Sequence, residues 1–224
     1  MGRIDNESGV QHSPEGSGMA SRPRESVTVC LMRHAKSDWG HAMLSDHDRP
    51  LNERGRRDAP RMARWLAQRG CLPDLILGST ANRVRQTIEG LLSVWTHQPL
   101  VLTSSSLYLA SPTTIREHLL CDAILPDGHR PRVAMLVAHN PGIEELTSQW
   151  LDTPTRMPTA AVAIFQCEPF QPEDLAGPRP RRFLALGLPK EIALDEESTG
   201  SGSDRNRPLD SRGERPGSRG GRSS

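Results

Sequence analysis

The chain has no excess of either charge. Its 224 residues carry 28 Lys+Arg against 27 Asp+Glu, a formal net charge of +1, so a globally basic nucleic-acid or membrane binder is not indicated. Its first 25 residues mix Gly, Ser, Pro and charges and lack the apolar stretch of a signal peptide, and no later run is long enough to span a bilayer. A soluble, cytoplasmic protein without a membrane partner is expected. Paired cysteines are missing too. Cys30, Cys71, Cys121 and Cys167 are scattered, with no CxxC of the kind that marks zinc sites or redox motifs. Buried free thiols in a reducing compartment are expected.

Hydrophobic residues are scarce at 35%, but they are concentrated between about Val27 and Pro189. Three regions follow: a tail over 1–25, one domain over 26–192, and a Ser/Gly/Arg-rich tail over 193–224 that cannot bury enough surface to offset its ordering entropy. Arginines in the last tail alternate with Asp204, Asp210 and Glu214, which dilutes any attraction for nucleic acid. Within the domain, apolar runs at Val27–Met32, Asp74–Ser79, Leu100–Thr103, Val133–Ala138 and Ala161–Phe165 read as strands, with an edge strand near Arg181–Pro189. Between them, Glu53–Gln68, Asn82–Trp95, Thr113–Leu120 and Ile143–Trp150 space their apolar residues three and four apart, as helices on a sheet do. Ser111-Pro112 is a helix start, a capping hydroxyl followed by proline at the first helical position. The predicted class is α/β, three layers (α/β/α) around a mostly parallel sheet.

Two of the most apolar strands end alike. Val27–Met32 runs into Arg33-His34, and Val133–Ala138 runs into His139-Asn140. Ligands of open α/β sheets bind outside the carboxyl ends of the strands, so both histidines are delivered to the edge where a site is expected. The run Asp74–Ser79 reaches the same edge and places Arg83 in the first turn of a helix. Two imidazoles and two guanidinium groups suit phosphoryl transfer. Planar guanidinium forks match phosphoryl oxygens, and a neutral imidazole, with an ordinary pKa of about 6.5, is a nucleophile at pH 7. Lys36 and Ser37 follow the nucleophile and are candidate phosphate donors, with an ordinary polar turn as the alternative.

The stretch Leu31-Met32-Arg33-His34-Ala35-Lys36-Ser37 resembles the Arg-His-Gly/Ala signature of the histidine phosphatase superfamily, the phosphoglycerate mutase-like fold. Arg49-Pro50-Leu51-Asn52-Glu53-Arg54-Gly55, Ser79 to Thr87 with Arg83-Val84-Arg85-Gln86-Thr87, and Val137 to Gly142 resemble its further blocks in the same order, and Leu188-Pro189-Lys190 is similar to the ending of the SixA-type phosphohistidine phosphatases. The resemblance implies that His34 is the nucleophile, Arg33 and Arg83 are phosphate clamps, His139 is the second histidine and Asn140 positions the group. It implies no metal and no other cofactor.

One departure bears on the substrate. Larger relatives carry a glutamate acid after the third strand, whereas Leu107-Tyr108-Leu109-Ala110-Ser111-Pro112 offers no carboxylate. An alkoxide leaving group needs protonation, while the imidazole of a phosphohistidine leaves with less help. A phosphohistidine of a protein is the expected substrate. The alternatives are a small phosphate ester or anhydride, with Asp38 or Asp46 (or Asp48) swinging in as general acid, and a phosphate-binding module without catalysis. The other histidines, His41 and His47 among them, are expected on the surface; Trp65 and Trp95 are expected in the core; and Arg56, Arg57, Arg61 and Arg64 are expected on a solvated helix face, or as a docking face for a phosphoprotein. The pattern leaves the oligomeric state open.

Overall fold

A computed structural model describes residues 26–40, 43–168 and 180–193. The tail expected at 1–25, all but the first residue of that expected at 193–224, and His41 lie outside these residues. The described chain forms β1 (Val27–Arg33), α1 (Glu53–Gln68), β2 (Leu75–Ser79), α2 (Asn82–Leu92), β3 (Leu100–Ser104), a 3-10 turn (Ser105–Leu107), α3 (Pro112–Cys121), β4 (Val133–Ala138), α4 (Gly142–Leu151), β5 (Val162–Cys167) and β6 (Pro180–Gly187).

The six strands make one sheet in the order β3-β2-β4-β1-β5-β6. β1 runs parallel to β4, β4 to β2 and β2 to β3, while β5 is antiparallel to both of its neighbours. Five strands therefore share one direction, as the mostly parallel prediction requires. Side chains of a strand alternate between faces, and here each face has its own core. Val29, Leu31, Leu77 and Leu136 pack with Ile115 and Leu119 of α3 and with Ile143 and Leu146 of α4. Cys30, Met32, Ile76 and Met135 pack on the opposite side with Met62 and Leu66 of α1 and with Val84 and Ile88 of α2. Central strands covered on both faces explain why the sequence shows continuous apolar runs rather than alternation.

The helices begin where local chemistry predicts. The Asn52 side chain accepts from the Gly55 backbone N–H at 2.9 Å, and Ser111 caps α3 by accepting from Thr114 at 3.2 Å, with Pro112 in the first turn. Gly55 is required by proximity, since a Cβ there would lie 2.3 Å from the Lys36 carbonyl oxygen. The start of α1 is thereby pressed against the turn that follows His34.

Two expectations change. α2 stops at Leu92 instead of continuing to Trp95, because the chain turns so that Trp95 Nε1 donates to the Ala63 carbonyl at 3.0 Å and fills the core between α1 and α2. Cys121 is exposed, unlike the other three thiols, because it ends α3 on the side away from the buried Ile115 and Leu119. Trp65 and Trp95 are buried as expected. Arg57 and Arg64 lie on the exposed face of α1, while Arg61 pairs with Asp58 at 3.4 Å and Arg56 donates to the Leu51 carbonyl. Among the described residues, no helix is long and apolar enough to cross a membrane.

Candidate active site

Strand pairing sets the site. β1 and β4 are neighbours in register, Arg33 opposite Ala138, and the His34 N–H continues the ladder to the Ala138 carbonyl at 3.0 Å. The next side chains along the two strands, His34 and His139, therefore emerge side by side, with ring centroids 5.0 Å apart. β2, on the far side of β4, ends in Ser79, and Arg83 follows in the first turn of α2. His34, Arg83, Ser79 and His139 are all buried.

The hydrogen bonds assign the His34 tautomer. Nδ1 lies 2.8 Å from the Ala35 carbonyl oxygen, which can only accept, so Nδ1 carries the proton. A neutral ring then keeps its lone pair on Nε2, and Arg83 Nε donates to that atom at 3.2 Å. Burial, with Arg83 and Arg33 adding to it, pushes the His34 pKa down to about 3, so the ring is neutral across the physiological range. His139 has the opposite tautomer. Arg83 Nη2 donates to its Nδ1 at 3.2 Å, leaving Nε2–H to donate to Ser79 Oγ at 2.6 Å. Its pKa is likewise pushed down to about 3, first by burial and then by His34 and Arg83.

Arg33 reaches the same cavity from the end of β1. Its Nη1 donates to the Met157 carbonyl at 2.9 Å, while its buried Nε–H has no partner. A buried donor without an acceptor costs about 1–3 kcal/mol, and it is the kind of group an incoming anion would satisfy. Asn140 is held through Nδ2, which donates to Glu144 Oε2 at 3.0 Å and to the Met157 carbonyl at 3.2 Å. The cavity has a volume of about 190 Å³ and is lined by Arg33, His34, Lys36, Arg83, His139 and Asn140, with Ser37, Trp39, Asp46, Arg49, Leu109 and Thr159 completing the wall. Four cationic side chains face one carboxylate. Such a field suits a phosphoryl dianion.

Of the three acids named from sequence, Asp46 lines the cavity and Asp38 and Asp48 do not. Asp38 is not on the cavity wall, and its Oδ1 accepts from the Gly40 N–H at 2.8 Å. Asp46 already sits on the wall, tied down, whereas the alternative substrate reading has a loop carboxylate swinging in. Tyr108 Oη donates to its Oδ2 at 2.6 Å, Arg83 Nη2 to the same oxygen at 2.9 Å, and Arg49 Nη1 to Oδ1 at 2.6 Å. The Asp46 backbone carbonyl also accepts from Arg83 Nη1. The Tyr108 hydroxyl, followed by the Arg83 and Arg49 charges, holds its pKa below the usual carboxylate range. Every nitrogen of the Arg83 guanidinium is thus engaged by protein.

Several residues on or beside the wall carry no motif of their own. The ring of Tyr108, the chain's single tyrosine, stands edge-on to His139 at 5.2 Å and to His47 at 5.1 Å. His47 stands outside the cavity lining, against Tyr108, and its Nε2 bonds Thr80 Oγ1 at 2.9 Å. Buried Arg49 stacks on exposed Trp39, its guanidinium carbon 3.3 Å from the ring centroid, and donates to Ser37 Oγ at 2.7 Å. Ser37 is therefore spent in part on fixing its own turn. Thr87 Oγ1 accepts from the Ala35 N–H at 3.0 Å and ties that turn to α2.

These strand-end imidazoles and guanidinium groups on a mixed α/β sheet form a cationic cavity with the chemistry to hold a phosphoryl group. Residues 29–104 match the model of the histidine phosphatase superfamily, branch 1. An uncharacterized chloroplastic protein of Arabidopsis thaliana is 32% identical over 161 residues, which span 67% of this chain and 72% of that one. A structure from Agrobacterium tumefaciens described as a phosphohistidine phosphatase SixA is 29% identical, with a TM-score of 0.56 over 71% of this chain and 98% of its own. The protein histidine phosphatase SixA complexed with tungstate shares the fold, with a TM-score of 0.61 at 20% identity over 74% of this chain and 99% of that one. The chain belongs to the histidine phosphatase superfamily and is SixA-like within it.

Proposed function

We propose that this phosphatase acts on phosphohistidine, or on a closely related phosphoramidate, by a two-step transfer through His34. The dianionic phosphoryl group docks on Arg33, whose unpartnered Nε–H points to an acceptor, and on Arg83, displacing the Asp46 carboxylate from Nη2. His34 Nε2 attacks phosphorus in line. The P–N bond to the leaving imidazole breaks as the new P–N bond forms, and solvent protonates the imidazole that departs. Water then attacks the phosphohistidine, phosphate leaves and His34 regains its lone pair. In the tautomer seen here His139 gives its one ring proton to Ser79 and has none for the phosphoryl oxygens. Once Arg83 swings onto the phosphoryl group, His139 Nδ1 is released to accept from, or after protonation to donate to, the transferring oxygens. Lys36 adds charge at the rim, and Asn140 holds the segment that carries Met157.

The observation that carries this reading is the lone pair on His34 Nε2, fixed there by the Nδ1–H bond to Ala35 and kept by burial. The fate of Asp46 supports the substrate class, since a carboxylate held ionised by three donors has no proton to give to an alkoxide. The open mouth favours a polypeptide substrate: Trp39 and Leu109 on its wall are 73% and 52% exposed.

A dephosphorylation screen over phosphohistidine, phosphoserine, phosphotyrosine and sugar phosphates, with His34→Ala as the blank, tests the assignment. Turnover of phosphohistidine is expected to lead, with acid-labile, base-stable label trapped on the wild-type chain and absent from the variant. No activity above the blank on any substrate would leave a phosphate-binding module.

A further inference from the structure

We propose that a second pocket, beside the phosphoryl site, is a subsite for an uncharged, ring-sized apolar group carried by the phosphorylated substrate. This rests on the phosphatase reading above and adds what the substrate must present next to its phosphoryl group.

The two pockets share a wall. Thr159 lines both. The second is built from the first turns of α1, the segment before β5 and the chain that leaves β6, with Pro158, Leu188 and Pro189 as its apolar surface. Its volume of about 150 Å³ is that of an apolar cavity able to hold a benzene-sized guest. Its charges cancel. Arg54 and Lys190 face Asp58 and Glu191, and Arg54 Nε pairs with the buried Asp58 carboxylate at 3.6 Å. An ionic guest would meet as many like charges as partners, whereas an uncharged ring gains the apolar wall without that opposition. This contrasts with the phosphoryl cavity, where cations outnumber the carboxylate four to one.

The partition is also fixed in place. Arg54 Nη2 donates to Thr159 Oγ1 at 2.9 Å. The adjoining Ala160 N–H is bonded to the carbonyls of both Arg33 and His34 at 3.1 Å, and Met157 receives Arg33 Nη1. The subsite is thereby held at a set distance from the nucleophile, as a specificity pocket must be.

Phosphonates, which bind without turning over, separate this proposal from the reading beneath it. Affinities of methylphosphonate, benzylphosphonate, 2-phenylethylphosphonate and phosphonoacetate are measured by calorimetry on the whole chain. At least one ring-bearing phosphonate is expected to bind tenfold or more tightly than methylphosphonate or phosphonoacetate. Leu188→Trp, which fills the pocket, should reduce that ratio to near one while methylphosphonate binding persists and reports a folded protein; should it fail to fold, Leu188→Ala, which strips the apolar wall, should cut the ratio at least threefold. A wild-type ratio near one, a preference for the carboxylate, or a ring preference that survives in Leu188→Trp but is lost in Trp39→Ala would overturn the subsite alone. If no phosphonate binds, the phosphoryl site itself is refuted and the subsite with it.

Discussion

Asp46→Asn separates an anion that holds a clamp from an acid that gives a proton. The Asp46 carboxylate accepts from Arg83 Nη2 at 2.9 Å, a donor that the proposed mechanism turns to a phosphoryl oxygen. Removing the charge lowers the cost of that exchange. The Asp46 side chain is 47% exposed against 5% for Arg83, so solvent screens the pair, and its worth is discounted to about 1 kcal/mol. With RT near 0.59 kcal/mol, that corresponds to about fivefold tighter binding of inorganic phosphate. The asparagine amide keeps one acceptor for Tyr108 or Arg83, so the wall is retained. The assay is competitive inhibition by phosphate at constant ionic strength, alongside kcat on a phosphoramidate and on an alkyl phosphate. Tighter phosphate inhibition with phosphoramidate turnover preserved is expected. Phosphate binding weakened tenfold, or a selective collapse of alkyl phosphate turnover, would refute the reasoning and make Asp46 the proton donor.

Ser79→Ala strands the buried Nε2–H of His139, so a loss of about 1–3 kcal/mol in urea unfolding is expected, together with a fall in kcat larger than any change in KM; unchanged stability would show that the 2.6 Å bond contributes nothing. Acidification should destabilise the fold over a defined window. His34 and His139 have pKa values of about 3 when folded against about 6.5 for an unperturbed imidazole, so between those limits the unfolded chain binds protons that the folded one refuses, and stability that is complete above pH 6.5 is lost as pH falls towards 3. The slope of unfolding free energy against pH should flatten in a His34→Gln, His139→Gln double variant, and an unaltered slope would sink the account.

The sequence carried the strands because β1 and β4 are covered on both faces and must be apolar throughout, and it carried His34, His139 and Arg83 because strand ends and a first helical turn fix their positions locally. What it withheld depends on contacts between distant segments. Nothing near Tyr108 announces that its hydroxyl meets Asp46, 62 positions away, and Ser79 finds His139 only because β2 lies next to β4. Asp46 was legible as a carboxylate but not as an ionised one, since that follows from Tyr108 and Arg83 on two distant segments as well as from Arg49 in its own loop. The ordinary imidazole pKa assumed for His34 failed for the same reason: burial is a property of the assembled layers.

Because the spacing of the two imidazoles is inherited from the pairing of β1 with β4, it is as permanent as the sheet. A slip of one residue between those strands would turn every side chain of the moved strand to the other face, so the core polices the alignment on behalf of the chemistry. Lengthening of the segment between α3 and β4, which enters the sheet at its opposite edge, would leave the imidazoles untouched. Changes at that remote rim or at the cavity mouth leave the spacing of the paired imidazoles as it is.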